Sequence, residues 1–109
     1  EPRADNTVIF KASETALPLS VKGDLDNVAA KVKADGKLRL NLVAYASGSE
    51  EQAATARRVS LSRALAVRAY LIEQGVDKLL INVQAEGIKN PGGEADRVDI
   101  VFDRLGEKK

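Results

Sequence analysis

The 109-residue chain carries 17 basic and 16 acidic side chains, and a net charge of +1 leaves no long-range field to gather nucleic acid or an anionic membrane. It has no Cys and no His, which removes disulfides, thiolate metal sites, and the commonest general base and zinc ligand. The length fits one domain, and with aromatics at only 4% its core must be built from Leu, Val, Ile and Ala.

The start, Glu1 to Asn6, is polar and reads as a linker. Thr7-Val8-Ile9-Phe10 is β-rich and predicts a first strand. After a loop with Ser13, Thr15 and Pro18, the residues Val21, Leu25, Val28, Ala29 and Val32 fall at helical spacing. They predict an amphipathic helix over 21–34, stopped by Asp35-Gly36. Leu38, Leu40, Leu42, Ala44 and Ala46 then alternate with Lys37, Arg39, Asn41, Val43 and Tyr45, which is the period of a strand. Because Val43 and Tyr45 make its far end apolar on both faces, a central strand is expected. Ser47-Gly48-Ser49 breaks it.

Ser49 is placed to cap the longest helix, with Glu50 and Glu51 at its positive end. Ala53, Ala56, Ser60, Ala64, Val67 and Leu71 form its inward stripe, and Gly75 ends it. Leu79 to Ala85 predicts a third strand, 87–93 a loop, and Arg97 to Phe102 a fourth strand. The tail, 104–109, is charged. No apolar run approaches the ~18 residues of a membrane span. The order β-α-β-α-β-β predicts an α+β domain over 7–103, with two helices on one face of a mixed four-stranded sheet.

Enzyme chemistry finds no foothold. Without His no Ser-His pair can form, and no Lys has a Ser three residues before it. The acids are spread over helix faces and loops, and no Ca²⁺-loop spacing is visible, so neither a metal nor another cofactor is expected. Arg57, Arg58 and Arg68 read as a solvated face paired with Glu50, Glu51 and Glu73. Arg63 differs, since it stands between Ser60 and Val67 beside the buried stripe. There its planar fork suits a carboxylate, either as a structural pair or as a ligand clamp.

The stretch from Val59 to Val76 resembles the long helix of OmpA-like domains, roughly L-S-x-x-R-A-x-x-V-x-x-Y-L-x-x-x-G-[IV], matching in Arg63, Ala64, Val67, Tyr70, Leu71, Gly75 and Val76. Gly87, Asn90 and Pro91 resemble the family's G-x-x-N-P loop, and Arg97-Val98-Asp99-Ile100 its closing R-V-E-I strand. The resemblance spans about 7–103. It implies a non-catalytic, periplasmic module that binds peptidoglycan and tethers an outer-membrane or other envelope protein to the cell wall. In that scheme an Asp after the second strand takes the diaminopimelate ammonium of the stem peptide, and the helix Arg takes its carboxylate. Arg63 matches the Arg. The family's G-[YHF]-x-D falls on Ala44-Tyr45-Ala46-Ser47, so Ser47, or Gly48 in a shifted register, stands where the acid should be. The implied site is thus Arg63, Ser47, Tyr45, Gly48 and Arg97, with Glu50 or Glu51 as substitute acids. The competing expectation is an interaction module that has lost wall binding and docks an envelope protein.

Overall fold

A computed structural model describes residues 6–11, 14–35, 38–90 and 92–104. Its main elements are β1 (Asn6–Ile9), α1 (Lys22–Ala34), β2 (Leu38–Tyr45), α2 (Ala53–Glu73), β3 (Ile81–Gly87) and β4 (Arg97–Arg104). The strands form one sheet in the order β1-β4-β2-β3. β2 pairs with β3 in parallel, whereas β4 runs antiparallel to both β1 and β2. This is the expected mixed sheet, and β2 lies inside it.

Alternation along the strands decides which face is covered. Leu38, Leu40, Leu42 and Ala44 are buried on one face of β2, and Val98 and Ile100 continue that face on β4. Leu25, Val28, Ala29 and Val32 of α1 meet Ala64, Val67 and Leu71 of α2 in the same core cluster, so both helices cover the same side. Each fully buried Leu, Val or Ile contributes about 1.5–3 kcal/mol through its removal from water.

Element ends follow local chemistry. Pro18 leads into a 3-10 turn over Leu19–Val21, so α1 starts one residue later than the periodicity predicts. The expected Asp35-Gly36 stop lies partly outside the described residues. Ser49 does precede α2, but through a 3-10 turn over Glu50–Gln52, where the Ser49 amide donates to Gln52 Oε1. Gly75, at φ +102, ends α2 and lets the Val76 amide return to the Leu71 carbonyl. Lys33 of α1 donates to the Gln74 carbonyl at 2.7 Å, which ties the end of one helix to the other.

Several strand bounds differ from expectation. β1 starts at Asn6, a residue expected in the linker, and ends at Ile9, one residue before the expected Phe10. Lys78–Leu80 is a 3-10 turn and not strand, because the Asp77 carboxylate accepts the Leu79 amide. β3 therefore starts at Ile81 and runs on to Gly87, a residue expected in the loop. Gly87 sits at φ +62, and a Cβ there would lie 3.2 Å from the Arg57 backbone. Its amide donates to Ser60 Oγ, and Ser60 Oγ donates to the Arg57 carbonyl. Ser60 thus satisfies polar groups of both elements where strand and helix approach most closely. β4 extends past Phe102 because β2 still offers partners, with Arg39 opposite Asp103 and Leu38 opposite Arg104.

Candidate functional site

The fold brings four separate segments to the end of the sheet near Tyr45. Arg63 projects from α2 into this corner and is fully buried, the largest such side chain among the described residues. Helical position explains the burial. Arg63 follows Ser60 by three residues and precedes Val67 by four, so it shares their inward face.

A buried guanidinium needs partners for its donors, and here each of its three nitrogens has at least one. Nε donates to the Glu14 carbonyl at 2.6 Å, and Nη2 to the Lys11 carbonyl at 3.0 Å. Nη1 donates both to the Tyr45 carbonyl at 3.1 Å and to Asp96 Oδ1 at 2.8 Å. The Phe10 ring lies 5.1 Å from the guanidinium carbon, a cation–π contact. Three carbonyls and one carboxylate replace the water that Arg63 loses.

Asp96 is the acid of this corner. It lies in the segment just before β4, and its Oδ1 also accepts the Ser47 amide at 3.0 Å and the Ser47 hydroxyl at 3.2 Å. Its own carbonyl accepts the Phe10 amide at 2.9 Å, which anchors the backbone beneath the side chain. Burial pushes the Asp96 carboxyl upward, but the bonds from the Ser47 amide, Arg63 and the Ser47 hydroxyl outweigh it and hold the group below the usual carboxylate range. All three side-chain bonds fall on Oδ1. Among the described residues, Oδ2 accepts none.

The absence of an acid at position 47 is therefore not an absence of acid beside Ser47. Sequence reading missed Asp96 because it lies 49 residues away along the chain. The strand register holds the clue. Tyr45 pairs with Arg97, so the residue before Arg97 must arrive beside the residues that follow Tyr45.

The remaining candidates surround this pair. The Arg97 guanidinium lies 4.2 Å from the centre of the Tyr45 ring. Its Nε donates to both Asp99 oxygens and its Nη1 to Asn90 Oδ1, with a further bond to the Glu94 carbonyl. Asn90 in turn accepts the Gly92 amide and donates to the Gly93 and Glu94 carbonyls. Arg97 and Asn90 thereby hold the loop before β4, while Pro91 lies outside the described residues. Burial raises the Tyr45 pKa, and the Arg97 charge partly offsets this. A Cβ added at Gly48 would lie 3.5 Å from the side chains of Ala56 and Ile88, an ordinary contact distance. Glu50 and Glu51 are exposed in the turn before α2, and Glu50 lines a hollow with Ile88, Lys89 and Asn90.

The expected pairing of Arg57, Arg58 and Arg68 with Glu50, Glu51 and Glu73 does not occur, since the ion pairs among the described residues are Arg63–Asp96 and Arg97–Asp99. Their spacings of seven and five residues do not bring side chains together on a helix, where three or four would. Among the described residues no acidic group of three or more is arranged to hold a metal.

Fold and site together define an α+β domain in which the Arg63–Asp96 ion pair closes a corner of the sheet. The sequence matches the OmpA family over residues 9–97, and the chain belongs to that family. Among solved structures, it is similar to the OmpA-like domain of FopA1 from Francisella tularensis subsp. tularensis SCHU S4, at 19% identity and a TM-score of 0.75 over 94% of this chain and 74% of that one. The peptidoglycan-associated lipoprotein of Burkholderia pseudomallei matches at 17% identity and a TM-score of 0.74, covering 89% of each chain. The C-terminal domain of Helicobacter pylori MotB matches at 17% identity and a TM-score of 0.77, over 93% of this chain and 86% of that one. No curated protein sequence matches. Among the described residues, no helix is long and apolar enough to cross a membrane.

Proposed function

We propose that the domain binds peptidoglycan non-covalently in the periplasm and tethers its parent envelope protein to the bacterial cell wall, through a pocket whose acid is Asp96. Family membership and similarity to a peptidoglycan-associated lipoprotein support this reading. The observation that carries it is the Arg63–Asp96 pair at 2.8 Å, seated against Ser47. An acid and an arginine meet at the corner that the family's pattern marks for stem-peptide recognition, although the acid comes from a different segment.

In this reading the roles shift. Arg63 is a positioning residue, because its donors are turned inward. It keeps Asp96 ionised and fixes its orientation. Oδ2 is then the acceptor for the diaminopimelate ammonium, a charge-assisted bond of about 1.5–3 kcal/mol. Ser47 steadies the same carboxylate, Tyr45 and Arg97 shape the adjoining rim, and Gly48 follows Ser47 in the turn that leads to α2. Glu50 and Glu51 stay at the outer edge.

Retention on insoluble peptidoglycan containing diaminopimelate tests this. Wild type should be retained at low salt, and Asp96→Asn should weaken retention by about tenfold or more while circular dichroism stays native. Ser47→Asp alone places a second carboxylate against Asp96 and should not help. The exchange Ser47→Asp with Asp96→Ser moves the acid to the family's usual position and should restore retention. A folded wild-type domain that is not retained would overturn the proposal. That outcome would favour an interaction module for an envelope protein, the reading to which the full burial of Arg63 also gives weight.

A further inference from the structure

A second recess lies away from the Arg63 corner, between the first half of α2 and the end of β3. It is an open groove of about 690 Å³. Leu61 and Ile88 supply apolar lining, and Leu61 is 40% exposed although it belongs to a long, ordered helix. Arg57, Arg58 and Lys89 stand on the rim, with Glu86 as the only acid among the lining residues. Three cations against one acid leave the groove with an excess of positive charge, and among the described residues none of the three is ion-paired.

The sheet adds a directional feature. β3 stands at the edge of the strand order, so among the described residues its outer side has no neighbouring strand. Such an edge presents backbone donors and acceptors in a row, ready to pair with another extended chain. The helix segment from Ala53 to Leu61 is about 12 Å long at about 1.5 Å per residue. An extended chain at about 3.3 Å per residue would place about four residues beside it.

We infer that this groove docks an acidic, extended polypeptide segment, which adds as a strand beside β3. Its backbone pairs with the β3 edge. Alternate side chains point to opposite faces of the sheet, so the acidic set lies on the α2 side, facing Arg57, Arg58 and Lys89, and the apolar set lies on the other. The charge excess selects an acidic segment, and the strand edge selects a polypeptide over a flexible anionic polymer. None of the lining residues bonds to Arg63, Ser47 or Asp96, so one domain would hold two different partners.

The test is an NMR titration of the isotope-labelled domain with an eight-residue peptide of alternating Val and Glu. Shifts should concentrate on β3 and on the turn of α2 that carries Arg57 and Arg58. The double variant Arg57→Gln, Arg58→Gln should weaken binding at least tenfold. It should leave peptidoglycan retention unchanged, which separates this result from the Asp96 reading. Methylating alternate peptide nitrogens should abolish binding. Absence of shifts at low salt would overturn the inference. So would equal binding of the methylated peptide, or equal binding of the Val–Lys counterpart. Tighter binding of an anionic polysaccharide such as polygalacturonate would also overturn it, by marking a general polyanion site.

Discussion

Arg63 and the pair Arg57 and Arg58 lie within two turns of one helix and have opposite fates. Arg63 is fully buried, with four acceptors gathered from Glu14, Lys11, Tyr45 and Asp96. Arg57 and Arg58 are exposed, and their side chains have no ion-pair partner among the described residues. Composition cannot separate them, because residue type and helix are shared. The face decides. On the inward face a guanidinium survives only if the surrounding backbone is shaped to receive it, and the surroundings then depend on the guanidinium in turn. On the outward face water does the same work, and the charge remains free for an outside partner.

Breaking the inward side gives the largest effect. Arg63→Ala should cost about 3–5 kcal/mol, since it removes the charge partner of Asp96 and a donor from three carbonyls at once. For a domain of this size, that is a fall in Tm of more than about 10 °C, measurable by thermal unfolding. A fall under about 4 °C would mean that the pair is not structural. Asp96→Asn should cost about 2 kcal/mol, because the carbonyl bonds to Arg63 remain while the charge partner is lost. Urea unfolding would show it as a lower midpoint with an unchanged slope.

Acid titration sharpens the same contrast. The Asp96 carboxyl is held below its ordinary range in the folded state, so the folded form favours the ionised group. Its stabilising contribution is complete above the unfolded-state value near pH ~4 and fades as pH falls through the lower folded-state value. Asp96→Asn should therefore flatten the acid limb of a stability–pH curve below about pH 4, while removing Arg57 should not. The smallest effect belongs to the outward side. Arg57→Ala and Arg58→Ala should each change stability by less than about 0.5 kcal/mol, as exposed charges without partners do. A larger loss would show that the rim cations support the fold.

Local patterns carried much of the fold. The alternation of Leu38, Leu40, Leu42 and Ala44 sets the buried face of β2, and Gly75 stops α2 as its position predicts. Periodicity works there because each residue's environment repeats that of its near neighbours. It misplaced the start of β3, where a single side chain, Asp77, turns the backbone before the strand begins. The site was half legible. Arg63 stood out as a charge beside an apolar stripe, but its acid did not. Asp96 has no periodicity of its own and meets Ser47 only because β4 returns beside β2. Such a pairing is a property of topology and not of any window of sequence.

The four acceptors of Arg63 lie 18, 33, 49 and 52 residues away along the chain. No partly assembled chain can supply them all, so the guanidinium stays hydrated until β1, β2 and the segment before β4 have converged on α2. Arg63 then acts late in folding, as a latch on the finished structure. Weakening it should speed unfolding while refolding keeps its pace, a division that stopped-flow kinetics would read directly. The rate at which that latch opens would then set how long the fold endures.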